Sequence, residues 1–298
     1  MYFGGDSQPW VIGYNPYWAG IDGGKYNLLD YILPFPRHTT FIEVFGGSSV
    51  VLFNKIPSQI EIVNDINSRL INFWETIQKA RREFVDYCKN EGGLDSRVLF
   101  DKYRKKADKK VEDAFRLYYI NRHSFSQMNN AYHGISFTGN DQWHSPYLNK
   151  LEHIDEYYER IKHVQFESQC FRRLLKRCDR ENACIYLDPP YFKGGDIYEY
   201  MVGVETSWSH QEFVDLRTLL KGLKKAKFVL SIDEKNFWLE EMPDLYIQPI
   251  ERINNASLSI GKEKSRSIEY VIRNYNPKTT PTMRDFDGKN KIKNDMEL

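Results

Sequence analysis

Thr40-Phe41-Ile42-Glu43-Val44-Phe45-Gly46-Gly47-Ser48-Ser49-Val50-Val51-Leu52-Phe53 decides the fold of this chain. Residues 40–45 are rich in β-branched and aromatic side chains and read as a short buried strand. Residues 46–49 read as a tight turn and 50–53 as the start of a helix. The unit repeats at once, with a strand expected at 59–64, ending at Asp65, and a long helix over about 68–89. Two such units in succession imply a parallel sheet with crossover helices. Upstream, residues 26–33 show helical spacing and stop before Pro34 and Pro36. Downstream, residues 92–162 turn to charged helices and then, over 121–147, to a polar, aromatic segment without a strong strand signal. Strand and helix signals resume over 163–166, 171–178, 183–187, 209–222, 227–232, 245–250 and 268–275, so the middle of the chain reads as an insertion.

The 298 residues carry 42 Lys and Arg against 41 Asp and Glu, with 41% hydrophobic and 15% aromatic residues. This balance excludes a disordered tail protein, a collagen and a small disulfide scaffold. A net charge of +1 creates no global field, so a polyanion must be held by local patches. Three are present: Lys102, Arg104, Lys105, Lys106 and Lys109; Arg172, Arg173, Lys176, Arg177 and Arg180; and Lys262, Lys264 and Arg266. No apolar run approaches the roughly 18 residues needed to span a bilayer, and residues 1–10 lack a leader pattern. A cytoplasmic protein without a membrane partner is expected. Cys88, Cys170, Cys178 and Cys184 match no zinc spacing and are expected as buried thiols.

Chemistry concentrates at Asp188-Pro189-Pro190-Tyr191, directly after the apolar run 183–187. In open α/β sheets ligands bind beyond the carboxyl ends of strands. Consecutive prolines fix φ and remove backbone donors, leaving the Asp188 carboxylate and the Pro189 carbonyl as paired acceptors. Such a pair suits an amino group. If the amine is the planar exocyclic one of a nucleobase, accepting both N–H bonds turns its lone pair toward an electrophile. Tyr191 would stack on the base and present its negative π face to charge developing at the nitrogen. Stacking is worth roughly 1–3 kcal/mol per base, comparable with the cost of extruding one from a duplex. The plainer alternative is a rigid strand-to-loop turn.

The Gly46-Gly47 turn admits a ligand close to the backbone, and the helix behind it favours an anionic group. It has neither the G-x-G-x-x-G nor the G-x-x-x-x-G-K-[ST] spacing, which argues against NAD and ATP. Asp65 stands where an acidic residue accepts ribose hydroxyls, or else caps the next helix. Lys25, in Asp22-Gly23-Gly24-Lys25, either binds a carboxylate or phosphate or is solvated.

The order of these motifs carries a resemblance. Gly23-Gly24-Lys25, then residues 43–48, Asn64-Asp65, Asn121-Arg122-His123-Ser124-Phe125-Ser126, Asp188-Pro189-Pro190-Tyr191, Leu230-Ser231 and residues 269–275 follow one another in the order of the Dam-type (alpha-group) N6-adenine DNA methyltransferases. The chain resembles that family over roughly residues 20 to 276. The resemblance implies an α/β fold: a Rossmann-like, seven-stranded, mostly parallel sheet flanked by helices. Residues 1–75 and 163–276 would form the catalytic domain, 76–162 a helical target-recognition insert and 277–298 a polar tail. It implies methyl transfer from S-adenosylmethionine to adenine N6 of a flipped base in double-stranded DNA, without a metal.

Carried over by position, the resemblance makes Asp188, Pro189, Pro190 and Tyr191 catalytic. Ile21, Lys25, Glu43, Phe45 and Gly47 would line the cofactor site, Lys25, Phe45 and Gly47 at its methionine part. Asp65 would hold the ribose, Phe171 would pack by the adenine, and Asp188 would touch both cofactor and target. Arg122, Ser124, Asn129 and Asn130 are candidate base contacts and Lys105 and Lys106 candidate phosphate contacts. Three residues depart from the family pattern: Cys170 replaces a usual Asp, Ile21 an often-seen Trp, and Ser49 a common Gly. Cytosine N4 as the target and a catalytically inactive DNA-binding module on the same fold remain open alternatives. A separately encoded restriction endonuclease is a further open partner.

Overall fold

The computed structural model describes residues 25–91, 96–124, 132, 151–190, 208–253 and 266–285. The strands are β1 (Thr40–Glu43), β2 (Ile60–Asn64), β3 (Gln165–Glu167), β4 (Ala183–Leu187), β5 (Lys227–Ile232), β6 (Tyr246–Ile253) and β7 (Arg266–Arg273). They form one sheet in the order β3-β2-β1-β4-β5-β7-β6. β1 to β5 pair in parallel, whereas β7 runs antiparallel between β5 and β6. The seven-stranded, mostly parallel sheet expected from the sequence is therefore present. From β1 the chain moves outward through β2 to β3, then crosses back to β4 on the other side of β1, so the strand order reverses between β1 and β4. A crevice opens beyond the carboxyl ends of strands at such a reversal. Because Glu43 lies opposite Tyr186, the residues that follow β1 and β4 emerge side by side there.

Alternation along the strands builds two cores. Phe41, Cys184, Tyr186, Val229 and Val271 pack on one face, beneath α1 (Leu29–Ile32), α3 (Ser68–Glu91), α4 (Arg97–Tyr103), α5 (Lys110–Arg122) and α6 (Ile154–Ile161). Ile42, Val44, Ile185, Leu187, Leu230 and Ile272 pack on the other, beneath α7 (Phe171–Leu175), α8 (His210–Gly222) and α9 (Asn236–Leu239). The short helix α2 (Val50–Asn54) follows the glycine turn, with four of its five residues buried. The long helix α3 is interrupted at Ala80, whose φ of -139° and ψ of 32° are not helical. On the first face Phe73, Trp74, Phe84 and Tyr118 interlock edge to face at 5.0 to 5.8 Å between centroids. Each such ring contributes about 1.5–3 kcal/mol by burial.

A buried ionic cluster ties α6 to the amino end of β2. Arg160 donates from Nη1 to Glu61 Oε2 at 2.6 Å, and from Nη2 to Glu61 Oε1 at 2.9 Å and the Leu52 carbonyl at 2.7 Å. Lys55 Nζ also binds Glu61 and reaches Ser58 Oγ at 3.0 Å. His38 completes the cluster. Its Nδ1 lies 2.6 Å from the Pro36 carbonyl and its Nε2 2.8 Å from Ser58 Oγ. The first bond requires a proton on Nδ1, which makes Nε2 the acceptor of the Ser58 hydroxyl.

One feature differs from the sequence reading. Cys170 is exposed, whereas Cys88, Cys178 and Cys184 are buried as expected; it precedes α7 at the surface, where no core residue is needed. The first part of the polar tail returns to the body: Arg37 N donates to the Pro281 carbonyl at 2.8 Å and Met283 N to the Phe35 carbonyl at 3.1 Å. Among the described residues no helix is long and apolar enough to cross a membrane.

Candidate active site

Asp188, Pro189 and Pro190 follow β4 into the crevice, Asp188 with its side chain 25% exposed. Tyr191 and Ile21 lie outside the described residues, as do Asn129 and Asn130. The apolar face beneath Asp188 turns polar toward the carboxyl ends of the strands. Glu43, Tyr186, Ser231 and Glu269 are all buried there, and Lys25 enters from the segment before α1. Lys25 Nζ lies 3.0 Å from Asp188 Oδ1 and 2.5 Å from Glu269 Oε1. Burial acts to lower the pKa of this ammonium, but the charges of Asp188 and Glu269 outweigh it and hold the pKa above the ordinary lysine value.

Glu43 behaves oppositely. Burial, reinforced by the negative charge of Asp188, pushes its pKa well above the ordinary carboxylate value. Among the described residues its Oε2 is buried without a hydrogen-bond partner. Below it the Tyr186 hydroxyl lies 3.3 Å from Ser231 Oγ.

The turn after β1 is shaped by close approach. A Cβ at Gly46 would stand 2.6 Å from Val63 Cγ1 and 3.2 Å from the Asn64 carbonyl, so no larger residue fits without a shift. Gly47 has a φ of 50°, in the left-handed region that glycine adopts freely. Ser49 has a φ of 54° and holds the same region at a steric cost. Asp65 closes the turn: Oδ2 accepts from Gly47 N at 2.9 Å and Oδ1 from Asn67 N at 2.8 Å. Burial raises its pKa against the pull of those two bonds. Beside it the buried Asn64 donates from Nδ2 to the carbonyls of Val44 and Gln169, both at 3.0 Å, and its Oδ1 accepts from Gln169 N at 3.0 Å. That clasp fixes the loop before α7 and so places Phe171.

Phe171 meets Phe45 at 5.8 Å and Trp208 at 5.2 Å between centroids, and Phe45 meets Trp208 at 5.4 Å. These three rings wall the turn, and among the described residues the Trp208 Nε1 proton is buried without a partner. The structure thus brings Lys25, Glu43 and Asp188 together on one side of the crevice, and Phe45, Gly47, Asp65 and Phe171 on the other. Glu269 and Trp208 escaped the sequence reading. A usable signal was a carboxylate at a buried strand position for Glu269, and an aromatic just ahead of the Ser209 cap of α8 for Trp208.

The other candidates lie apart from this cluster. Lys105 and Lys106 are exposed in the loop between α4 and α5. Arg69, in the first turn of α3, donates to the Arg104 carbonyl at 3.0 Å, Arg116 to the Lys105 carbonyl at 2.9 Å, and the buried Asp113 binds both Arg69 and Ala107 N. That loop is therefore pinned beside the start of α3, just past Asp65. Arg122 ends α5, partly buried, and the Ser124 hydroxyl donates to the Ile120 carbonyl at 2.6 Å. Arg172 of the second basic patch pairs with Glu212 and Asp215, which neutralises part of that patch.

A family model described as D12 class N6 adenine-specific DNA methyltransferase matches residues 22–256. The chain is 26% identical over 277 residues to the Type II methyltransferase M1.LlaDCHI of Lactococcus lactis subsp. cremoris, covering 85% of this chain and 93% of that relative. It is 29% identical over 184 residues to the DNA N-6-adenine-methyltransferase of Escherichia phage P1; this covers 58% of the chain but only 23% of the phage protein. Among solved structures, the rRNA methyltransferase aviRa from Streptomyces viridochromogenes aligns over 83% of this chain and 81% of its own, at 8% identity and a TM-score of 0.34.

Proposed function

Because the chain belongs to the D12 class of N6-adenine-specific DNA methyltransferases, we propose that Asp188 and the Pro189 carbonyl accept the two N–H bonds of the target adenine amine. They would do so at the mouth of a pocket in which Phe45, Gly47, Asp65 and Phe171 hold S-adenosylmethionine. The residues present fit that cofactor. Asp65 offers acceptors for ribose hydroxyls, the aromatic wall suits a purine, and Glu43 Oε2 and Trp208 Nε1, without partners among the described residues, suit polar groups of a ligand. When bound, S-adenosylmethionine supplies a methyl group on a positively charged sulfur, an electrophile that needs no further activation.

The chain's own work is alignment. Asp188 is anchored through Oδ1 by Lys25 and presents its carboxylate to the amine. Pro189 has no N–H to compete as a donor, and its carbonyl is fixed by the proline that follows. Gripped by two acceptors, the amine turns its lone pair toward the methyl carbon, and Tyr191 stacks on the extruded base. The positive charge that develops on the nitrogen is stabilised by Asp188, and the surplus proton leaves to solvent. Lys105 and Lys106 contact phosphates, and Arg122, Ser124, Asn129 and Asn130, in an insert over 76–162, read the bases. The enzyme acts in the cytoplasm. The Type II name of the Lactococcus relative supports a separately encoded restriction endonuclease as its companion.

The observation that carries this reading is the position of Asp188: partly exposed, fixed by a buried lysine, and set beside the glycine turn across a reversal of strand order. Incubation of the purified chain with duplex DNA and S-adenosylmethionine, followed by mass spectrometry of the nucleosides, tests it. N6-methyladenine is expected. N4-methylcytosine would replace adenine by cytosine as the target, and unmodified DNA despite cofactor binding would mark an inactive binding module.

A further inference from the structure

The Asp188 carboxylate has two demands on it: it must accept from the substrate amine, and it lies 3.0 Å from a buried ammonium that competes for its charge. A lysine placed so close would weaken the acceptor unless its own charge were shared. Glu269 shares it. Its side chain is 3% exposed and Lys25 4%, with 2.5 Å between Nζ and Oε1. Glu269 is held rigidly, because its strand is paired on both sides: Glu269 lies opposite Ile250 in β6, and the next residue, Tyr270, lies opposite Ile232 in β5. It shares a face with Val271 and Arg273, both buried, so its carboxylate projects under the crevice and not into solvent. It also lies beyond residues 22–256, the span over which the chain matches its family.

We propose that Glu269 is a positioning residue for methyl transfer: it anchors the Lys25 ammonium and shares its charge, so that Lys25 fixes the Asp188 carboxylate without quenching it as an acceptor for the substrate amine. This inference rests on the role given above to Asp188. The charge balance supports it. Lys25 stands between two carboxylates, so the three groups together carry one negative charge. A site with that balance favours a nitrogen that becomes positive as the methyl group arrives. With Glu269 neutralised, the lysine's full charge would fall on Asp188 and its flexible stem would lose its second anchor.

The test is a double-mutant cycle read as kcat and as binding. Glu269→Gln is expected to lower kcat by about 10- to 100-fold while the dissociation constants for S-adenosylmethionine and duplex DNA, measured calorimetrically, change by less than about threefold. Glu269→Asp should recover part of the loss. Since Glu269 acts through Lys25, Lys25→Met/Glu269→Gln should be no slower than Lys25→Met alone. That comparison holds even if the single Glu269→Gln variant fails to fold, because the pair removes the buried ammonium together with its partner. The proposal is overturned if Glu269→Gln keeps its kcat, if its defect appears in binding alone, or if the double variant is slower than Lys25→Met by a further factor of about ten or more. Full activity in Asp188→Ala would instead overturn the role of Asp188, whereas an inactive Asp188→Ala beside a fully active Glu269→Gln removes only the role of Glu269.

Discussion

The Gly47 amide donates to Asp65 Oδ2 across 2.9 Å, so the turn after β1 and the end of β2 are one unit. The same carboxylate accepts from Asn67 N and is the proposed holder of the cofactor ribose. Asp65→Ala should therefore weaken S-adenosylmethionine binding by about tenfold or more, a loss of at least roughly 1.4 kcal/mol. Isothermal titration checks this, and an unchanged affinity would remove Asp65 from the cofactor site.

Ser49 and Gly46 predict opposite responses to a change in size. A serine at a φ of 54° bears a left-handed penalty of about 1–2 kcal/mol, against roughly 0.5–1 kcal/mol of extra chain entropy that glycine loses on folding. Ser49→Gly should raise stability by about 0.5–1 kcal/mol. Gly46→Ala should lower it by about 1–3 kcal/mol, because its new methyl collides with Val63 and the Asn64 carbonyl. Urea denaturation of both variants decides; a destabilised Ser49→Gly would contradict the strain argument.

His38 sets a pH dependence remote from the crevice. Burial lowers its pKa from 6.5 to about 4, so the native chain binds fewer protons than the unfolded chain between those values. Stability should fall as pH drops from about 6.5 toward about 4, with a contribution on the order of 3 kcal/mol. His38→Gln cannot titrate, and its unfolding free energy should decline less between pH 7 and pH 4.5 than that of the parent. Parallel curves for the two proteins would show that His38 is not the group responsible.

Lys105 and Lys106 predict a salt effect without a sequence effect. If both neutralise phosphates, Lys105→Ala/Lys106→Ala should reduce the slope of log affinity against log salt by about 2, because each contact contributes about 0.9. Fluorescence anisotropy over a salt series measures that slope, and an unchanged value would place the loop away from DNA.

Most of the sheet was legible in the sequence because its strands are short apolar runs bounded by turn residues. The run 183–187 is β4, and 227–232 is β5, without a shift at either end. The glycine turn and the crevice followed from strand–turn–helix order alone. What the sequence concealed was long-range. Lys25 and Glu269 are 244 residues apart, and neither a turn nor a period joins them. Trp208 precedes its helix as a single aromatic in a polar stretch, and only the fold brings it to Phe45 and Phe171. Cys170 was misread because a thiol's usual preference for burial gives way at a helix start that faces solvent. The break at Ala80 has neither proline nor glycine to announce it.

The central claim is that Asp188 grips the adenine amine during transfer, and Asp188→Ala tests it most directly. Single-turnover methylation of duplex DNA, followed alongside DNA binding, should show the rate reduced by at least about 1,000-fold with DNA affinity kept within about threefold. Methylation at the parent rate by the purified variant would contradict the account.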